Sequence, residues 1–173
     1  MRRGAGSRDE VGSTTVEFVI LFPVLIALVL AMFEAGWLMT RYMMLDRGVD
    51  MVIRDLKLGR VAATHVDLKS RICDYSEVIV GCEDEMLLEI VLWEDVEADA
   101  AYPHGQAQCH DRSAAVAPTS SIAEVAPDQI VFLRACMLID PMFRGIGVGF
   151  WLPNDPSGAH RMVSFGVFRT EPP

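Results

Sequence analysis

The sequence predicts an α+β fold in which a long N-terminal helix crosses a membrane and then packs on a small antiparallel sheet. Two observations support this prediction: an apolar run over residues 18–39 that continues as an amphipathic helix, and three short β-type segments in the C-terminal part of the chain. A chain of 173 residues has room for one small domain beyond such a helix. A large multi-domain protein is therefore excluded.

The apolar run is long enough to span a bilayer. A hydrocarbon core about 30 Å thick needs roughly 20 apolar residues in a helix, and residues 18–39 supply them. Glu34 is the only charge in the run, and because it lies near one end we expect its side chain to reach toward the lipid headgroups.

Small residues recur on one face of this span. Ala27, Ala31 and Ala35 follow one another at every fourth position, with Gly36 beside them. Such a face lets a second helix approach closely, so the pattern predicts a helix-packing surface. The alternative is that alanine is simply common in membrane helices.

The helix is predicted to continue beyond the membrane, from about Thr15 to Leu58. Apolar residues over 40–58 recur at steps of three and four up to Gly59, a natural stop. This amphipathic extension leaves an apolar stripe for the following domain to cover.

The domain after Gly59 is predicted to hold one short helix and three strands. The helix covers about 65–75, with Val66, Leu68, Ile72 and Tyr75 on its buried side. The predicted strands cover residues 86–93, 129–139 and 160–169. Residues 95–128 are expected to form a long loop, either a partner contact or a tolerated insertion, and residues 143–151 an irregular apolar segment.

Four cysteines lie in this domain: Cys73, Cys82, Cys109 and Cys136. An even number in so small a domain favours disulfides and an oxidising compartment. We expect Cys73 to pair with Cys82 and Cys109 with Cys136, although two other connectivities are open. Zinc fits less well, because the sequence contains no Cys-x-x-Cys pair and its histidines are scattered.

The net charge argues against nucleic-acid binding, and the motifs argue against catalysis. The net charge of −9 makes nucleic acid an unfavourable partner. Acids crowd residues 83–99, but they lack the spacing of a calcium loop and are read as a solvated face. No catalytic set stands out, so we expect no enzyme activity, no metal and no cofactor.

The residues before the span carry a more specific pattern. Gly12 and Ser13 precede Glu17 and Phe18, so a carboxyl group stands at the mouth of the span, five residues after a glycine. This pattern resembles the type IV prepilin signature, most closely that of the TadE-like pseudopilins of the Tad (tight adherence) pilus. The apolar helix and the closing segment 165–172 add to the resemblance.

The resemblance implies a pilin-like fold and a defined processing step. A prepilin peptidase would cut between Gly12 and Ser13, giving a leader over 1–12, a helix over 13–59 and a periplasmic α+β domain over 60–173. Glycine at the cut lets the backbone approach a protease closely. Glu17 would then meet the new α-amine of a Ser13 in the assembled helix bundle.

It also implies a function, a location and a set of partners. The protein would be a minor pilin or pseudopilin needed to assemble a Tad-type (Flp) pilus. Its partners would be the prepilin peptidase, other pilins or pseudopilins, and the inner-membrane Tad assembly platform. Flanking basic residues do not decide the orientation, but the resemblance and the cysteines place the N-terminus in the cytoplasm of a bacterium and the domain in the periplasm, with incorporation into the pilus left open.

Two other interpretations compete with this one. A cleaved secretory signal also has a basic start, but here the apolar run is longer than is usual and no clean small-x-small site follows it. A single-span anchor that presents a periplasmic binding or sensor domain would make the Gly12 motif accidental.

Overall fold

A computed structural model of the chain describes residues 10–58, 60, 65–92, 107–110, 112, 128–143, 147–152, 155 and 157–170. The chain divides into two compact units. The first unit comprises Met1–Trp37 and Met142–Leu152, and the second comprises Leu38–Pro141 and Pro153–Pro173. Outside the described residues lie residues 1–9 of the predicted leader (1–12), the stop at Gly59, Trp93 and most of the 95–128 loop.

The N-terminal helix, α1, covers Glu10–Lys57. It begins earlier than the predicted Thr15, so the Gly12 motif is itself helical. Arg54 and Lys57 stand in its last turn, where basic side chains interact favourably with the helix dipole. The long helix predicted from the sequence is confirmed.

The second helix, α2, covers His65–Tyr75, which are the predicted bounds. Leu68 and Ile72 are fully buried as expected, whereas Val66 is 75% exposed, so its predicted burial is wrong. Val66 lies two positions before Leu68, a rotation of about 200° around a helix of 3.6 residues per turn. It therefore points away from the buried stripe.

The backbones of α1 and α2 come close together at Gly48. A Cβ atom on Gly48 would lie 2.8 Å from the carbonyl oxygen of Ile72 and 2.5 Å from Ser76 Oγ. The Ser76 hydroxyl in turn donates a hydrogen bond of 2.9 Å to the carbonyl oxygen of Met44. Glycine is required here because no side chain fits between the two elements.

After a short helix, α3 (Cys82–Glu85), three strands form one antiparallel sheet. They are β1 (Met86–Leu92), β2 (Ile130–Ile139) and β3 (His160–Arg169), in the order β1-β2-β3. The β3 bounds are as predicted and β2 begins one residue later. The α+β prediction, with a small antiparallel sheet, is confirmed.

The C-terminal half of α1 packs on one face of this sheet. A Cβ atom on Gly166 of β3 would collide with the end of the Ile53 side chain, and the Ser164 hydroxyl donates a 2.8 Å hydrogen bond to Asp46. Side chains alternate along a strand, so the β2 residues paired with these two, Leu133 and Ala135, share the face. Both are fully buried, which places the core of the second unit between α1 and the sheet.

A tight turn leads into β3. The Asp155 carboxyl group accepts hydrogen bonds from the backbone N–H groups of Ser157 and Ala159, at 3.0 and 2.9 Å, and from the Ser157 hydroxyl at 2.7 Å. Burial acts to raise the pKa of Asp155, but these hydrogen bonds together outweigh it and hold the pKa below its ordinary value.

Candidate functional site

The Gly12 motif lies on the first turns of α1. Gly12 and Ser13 are in helical conformation, and Glu17 and Phe18 follow within the same helix. The Glu17 side chain is exposed, and the Phe18 ring stacks on that of Phe22 with centroids 5.1 Å apart. The Glu17 carboxyl group is therefore exposed on the surface of α1.

The residues that follow make α1 long and apolar enough to cross a membrane. Large hydrophobic side chains cover its surface: Ile20 is 65% exposed, Leu25 59% and Met32 72%. Such a surface is unfavourable in water and suited to hydrocarbon. The helix can thus anchor the chain in a membrane.

Glu34 does not reach toward headgroups, so that expectation is wrong. It is fully buried, and its Oε1 and Oε2 accept hydrogen bonds from the backbone N–H groups of Phe143 and Gly149, at 3.0 and 3.1 Å. The reason is tertiary: Phe143, Gly147 and Gly149, from the predicted irregular apolar segment 143–151, contact the helix at this level. The sequence signal that could have suggested this contact is the glycine-rich stretch that includes Gly147 and Gly149.

The small-residue face is where this segment approaches the helix. A Cβ atom on Gly147 would lie 3.7 Å from the Cα atom of Ala31 and 2.6 Å from Glu34 Oε2. Ala27 and Ala35 are half-buried, whereas Gly36 is exposed and has no atom within 4 Å of a Cβ built on it. Packing of these residues against the helix of another protein stays a prediction.

Both preferred disulfides are present. Cys73 bonds to Cys82, and Cys109 bonds to Cys136 of β2. The first joins the end of α2 to α3, and the second attaches residues 107–110 to the sheet. The described part of the chain contains no free cysteine.

An arginine holds the same part of the loop in place. Arg112 contacts both carboxyl oxygens of Glu85 at 3.0 Å and those of Asp140 at 3.1 Å. The hydrogen bond to Glu85, followed by that to Asp140, raises the pKa of the Arg112 guanidinium against the opposing effect of burial. This cluster ties the loop to the ends of α3 and β2 and is read as structural.

Among the described residues, no group of three or more His, Cys, Asp or Glu side chains is arranged to hold a metal ion. The Gly12 motif and the apolar helix that follows it are the candidate functional site. The sequence-predicted residues of this site share one helix, and the segment that contacts that helix comes from far along the chain.

Comparison with known proteins supports this choice. A family model described as TadE-like protein matches residues 12–54. No match was found among curated proteins or among solved structures. The matched range begins at the predicted cleavage glycine and ends three residues before the C-terminal end of α1. It contains the Gly12 motif, the predicted span and most of the amphipathic extension. Over residues 12–54 the chain is therefore similar to TadE-like proteins, in agreement with the resemblance found in its sequence.

Proposed function

We propose that this protein is a minor pilin or pseudopilin required for assembly of a Tad-type (Flp) pilus. The observation that carries the proposal is the family match over residues 12–54, which spans the Gly12 motif and the helix that follows. The second unit, with its sheet and two disulfides, is larger than a subunit that packs as a bare helix would need. That size favours a minor or assembly role over that of the main fibre subunit.

The proposed life cycle begins with proteolysis. A prepilin peptidase cuts between Gly12 and Ser13 at the cytoplasmic face of the inner membrane. Because this bond lies close to the start of α1, only the first two turns have to unwind, and terminal turns open at low free-energy cost. The second unit is then periplasmic, and its disulfides are stable there because the periplasm is oxidising.

Glu17 is proposed to guide assembly. Its exposed carboxyl group would pair with the α-amine of Ser13 in a neighbouring subunit, inside a bundle of apolar helices. Removing one member of a buried ion pair costs about 3–5 kcal/mol, because the other charge is left without compensation. Other pilins or pseudopilins and the inner-membrane assembly platform are the proposed partners.

The first test is the N-terminal residue of the mature protein. Mass spectrometry of protein from its native cell should find Ser13 at the N-terminus, and a bulky Gly12→Leu variant should remain untrimmed. A native N-terminus at Met1 would instead fit a plain membrane anchor that presents a periplasmic binding or sensor domain.

The second test separates assembly from anchoring. Glu17→Gln should abolish piliation while the protein remains in the membrane. Asp50→Asn is the matched control, because Asp50 is another exposed acid on α1 that lies beyond the predicted span. A Glu17→Gln strain that is as piliated as the control strain would remove the assigned role of Glu17.

A further inference from the structure

The 142–152 segment belongs to the first unit together with the apolar half of α1, although its sequence neighbours on both sides belong to the second unit. It contacts α1 at Glu34, five residues before the end of the predicted span at Met39. At 1.5 Å per residue, this contact lies about 7.5 Å inside that end. In a membrane-inserted α1, a segment that contacts the helix at this level lies at the same depth as Glu34.

We propose that the described residues of this segment, 142–143 and 147–152, form a second membrane-embedded element, which lies in the boundary between headgroups and acyl chains and is held there by Glu34. The inference rests on the proposed membrane span and goes beyond the pilin function. A depth of about 5–10 Å is typical of apolar elements that lie in the plane of an interface.

The side chains of the segment suit that position. Trp151 is 83% exposed and Met142 is 51% exposed. Tryptophan is enriched at the interface between membrane and water because its ring combines an apolar body with a polar N–H group. Exposure of these two large side chains is unfavourable in water and favourable at the edge of a bilayer.

The backbone hydrogen bonds of the segment also suit it. Irregular backbone is tolerated at membrane depth only where its polar groups find partners within the protein. The Glu34 carboxyl group accepts hydrogen bonds from the backbone N–H groups of Phe143 and Gly149. The Val148 carbonyl oxygen accepts hydrogen bonds from the backbone N–H groups of Trp151, at 3.0 Å, and Leu152, at 3.2 Å. Four N–H groups are thus paired without water.

This arrangement gives Glu34 a role that explains its place in an apolar helix. A carboxyl group in a membrane span is costly unless it has hydrogen-bond donors. The segment supplies the donors, and the carboxyl group supplies acceptors that the irregular backbone needs. Gly147, with φ of +104° and no room for a Cβ atom beside Glu34, allows the close approach.

The test uses tryptophan fluorescence of the full chain in phosphatidylcholine vesicles. The chain has three tryptophans, so Trp37→Phe with Trp93→Phe leaves Trp151 as the reporter, and Trp93→Phe with Trp151→Phe leaves Trp37 as a reporter of the span. Lipids brominated near the headgroup or near the bilayer centre quench nearby tryptophans, and aqueous iodide quenches those in water.

We expect Trp151 to lose more emission with bromines near the headgroup than with bromines near the centre, and to be shielded from iodide. A Trp151 that iodide quenches and bromolipid does not, in a protein whose Trp37 is quenched by bromolipid, would overturn the inference and leave the pilin proposal standing. If bromolipid leaves Trp37 unquenched as well, the predicted membrane span is wrong, and this inference and the pilin proposal are both contradicted.

Two variants test the holding role of Glu34. Glu34→Gln replaces one acceptor with an amide donor that opposes a backbone N–H, and Gly147→Ala places a methyl group against Oε2. Both should weaken bromolipid quenching of Trp151 and increase its quenching by iodide. Gly158→Ala is the matched control, because Gly158 also has positive φ, +80°, but has nothing within 4 Å of the added atom. Unchanged quenching in both test variants would overturn the role of Glu34.

Discussion

Replacement of Gly48 by alanine tests how closely α1 and α2 approach each other, because two opposing effects predict opposite signs. Glycine inside a helix is about 1 kcal/mol less favourable than alanine, so helix propensity alone predicts that the Gly48→Ala variant is more stable. The structure predicts the reverse. The new Cβ atom would lie 2.8 Å from the Ile72 carbonyl oxygen, a backbone atom that cannot rotate away.

The magnitude follows from the difference between these effects. Forcing an extra carbon into a packed site costs about 1–3 kcal/mol, and a clash with backbone belongs at the upper end. The net loss in the free energy of unfolding is then about 1–2 kcal/mol, which lowers the Tm by roughly 5 °C. Circular dichroism of the full chain in detergent micelles, followed with temperature, measures it.

Two further variants identify the cause. Gly36→Ala lies in the same helix with nothing within 4 Å, so it should not lower the Tm. Ser76→Ala removes the nearer contact but also the hydrogen bond to Met44, so it is its own reference: Gly48→Ala should lower the Tm less in the Ser76→Ala background than in the wild-type protein. A Gly48→Ala variant as stable as Gly36→Ala would show that α2 does not approach α1 as closely as described.

Two other predictions concern the disulfides and the turn before β3. Loop-closure entropy predicts a stabilisation of about 3.5 kcal/mol for a disulfide that closes 27 residues and about 2.6 kcal/mol for one that closes 9. Loss of the longer bridge, by Cys109→Ser with Cys136→Ser, should therefore lower the denaturant midpoint more than Cys73→Ser with Cys82→Ser. Equal losses would contradict this prediction. The pKa of Asp155 is depressed, so its contribution to stability is present above the unfolded pKa of about 3.9 and disappears as the pH falls through the folded pKa. The stability advantage over Asp155→Asn, measured by denaturation, should therefore shrink below about pH 4, and a constant advantage would count against it.

The elements with a strong local pattern could be predicted from the sequence. The bounds of α2 and β3 follow from helical and alternating periodicity, and the end of β2 follows from Pro141, which cannot continue a strand. The prediction failed at Val66, where an apolar residue was assigned to the wrong side of a short helix. Periodicity locates the buried stripe of a helix. Whether a residue at the margin of that stripe is buried depends on which residues of other elements lie beside it.

In the apolar N-terminal half of α1, too, some features follow from the sequence and others only from the tertiary structure. Its length, its apolar surface and the Gly12 motif are properties of consecutive residues, so the sequence alone determined them, together with the TadE-like resemblance. The burial of Glu34 depends on residues more than a hundred positions away, and a hydrogen bond between such distant groups leaves no periodic trace.

The amino-acid sequence by itself thus determined a long apolar helix that begins with the Gly12 motif, followed by a small α+β domain with four cysteines. Only the tertiary structure decided that Gly48 has to be small, that Gly166 lies against Ile53, and that the 142–152 segment supplies the hydrogen-bond donors for Glu34. Local patterns report how a residue relates to its neighbours in the chain, whereas close approach between distant backbones is set by packing of the whole fold.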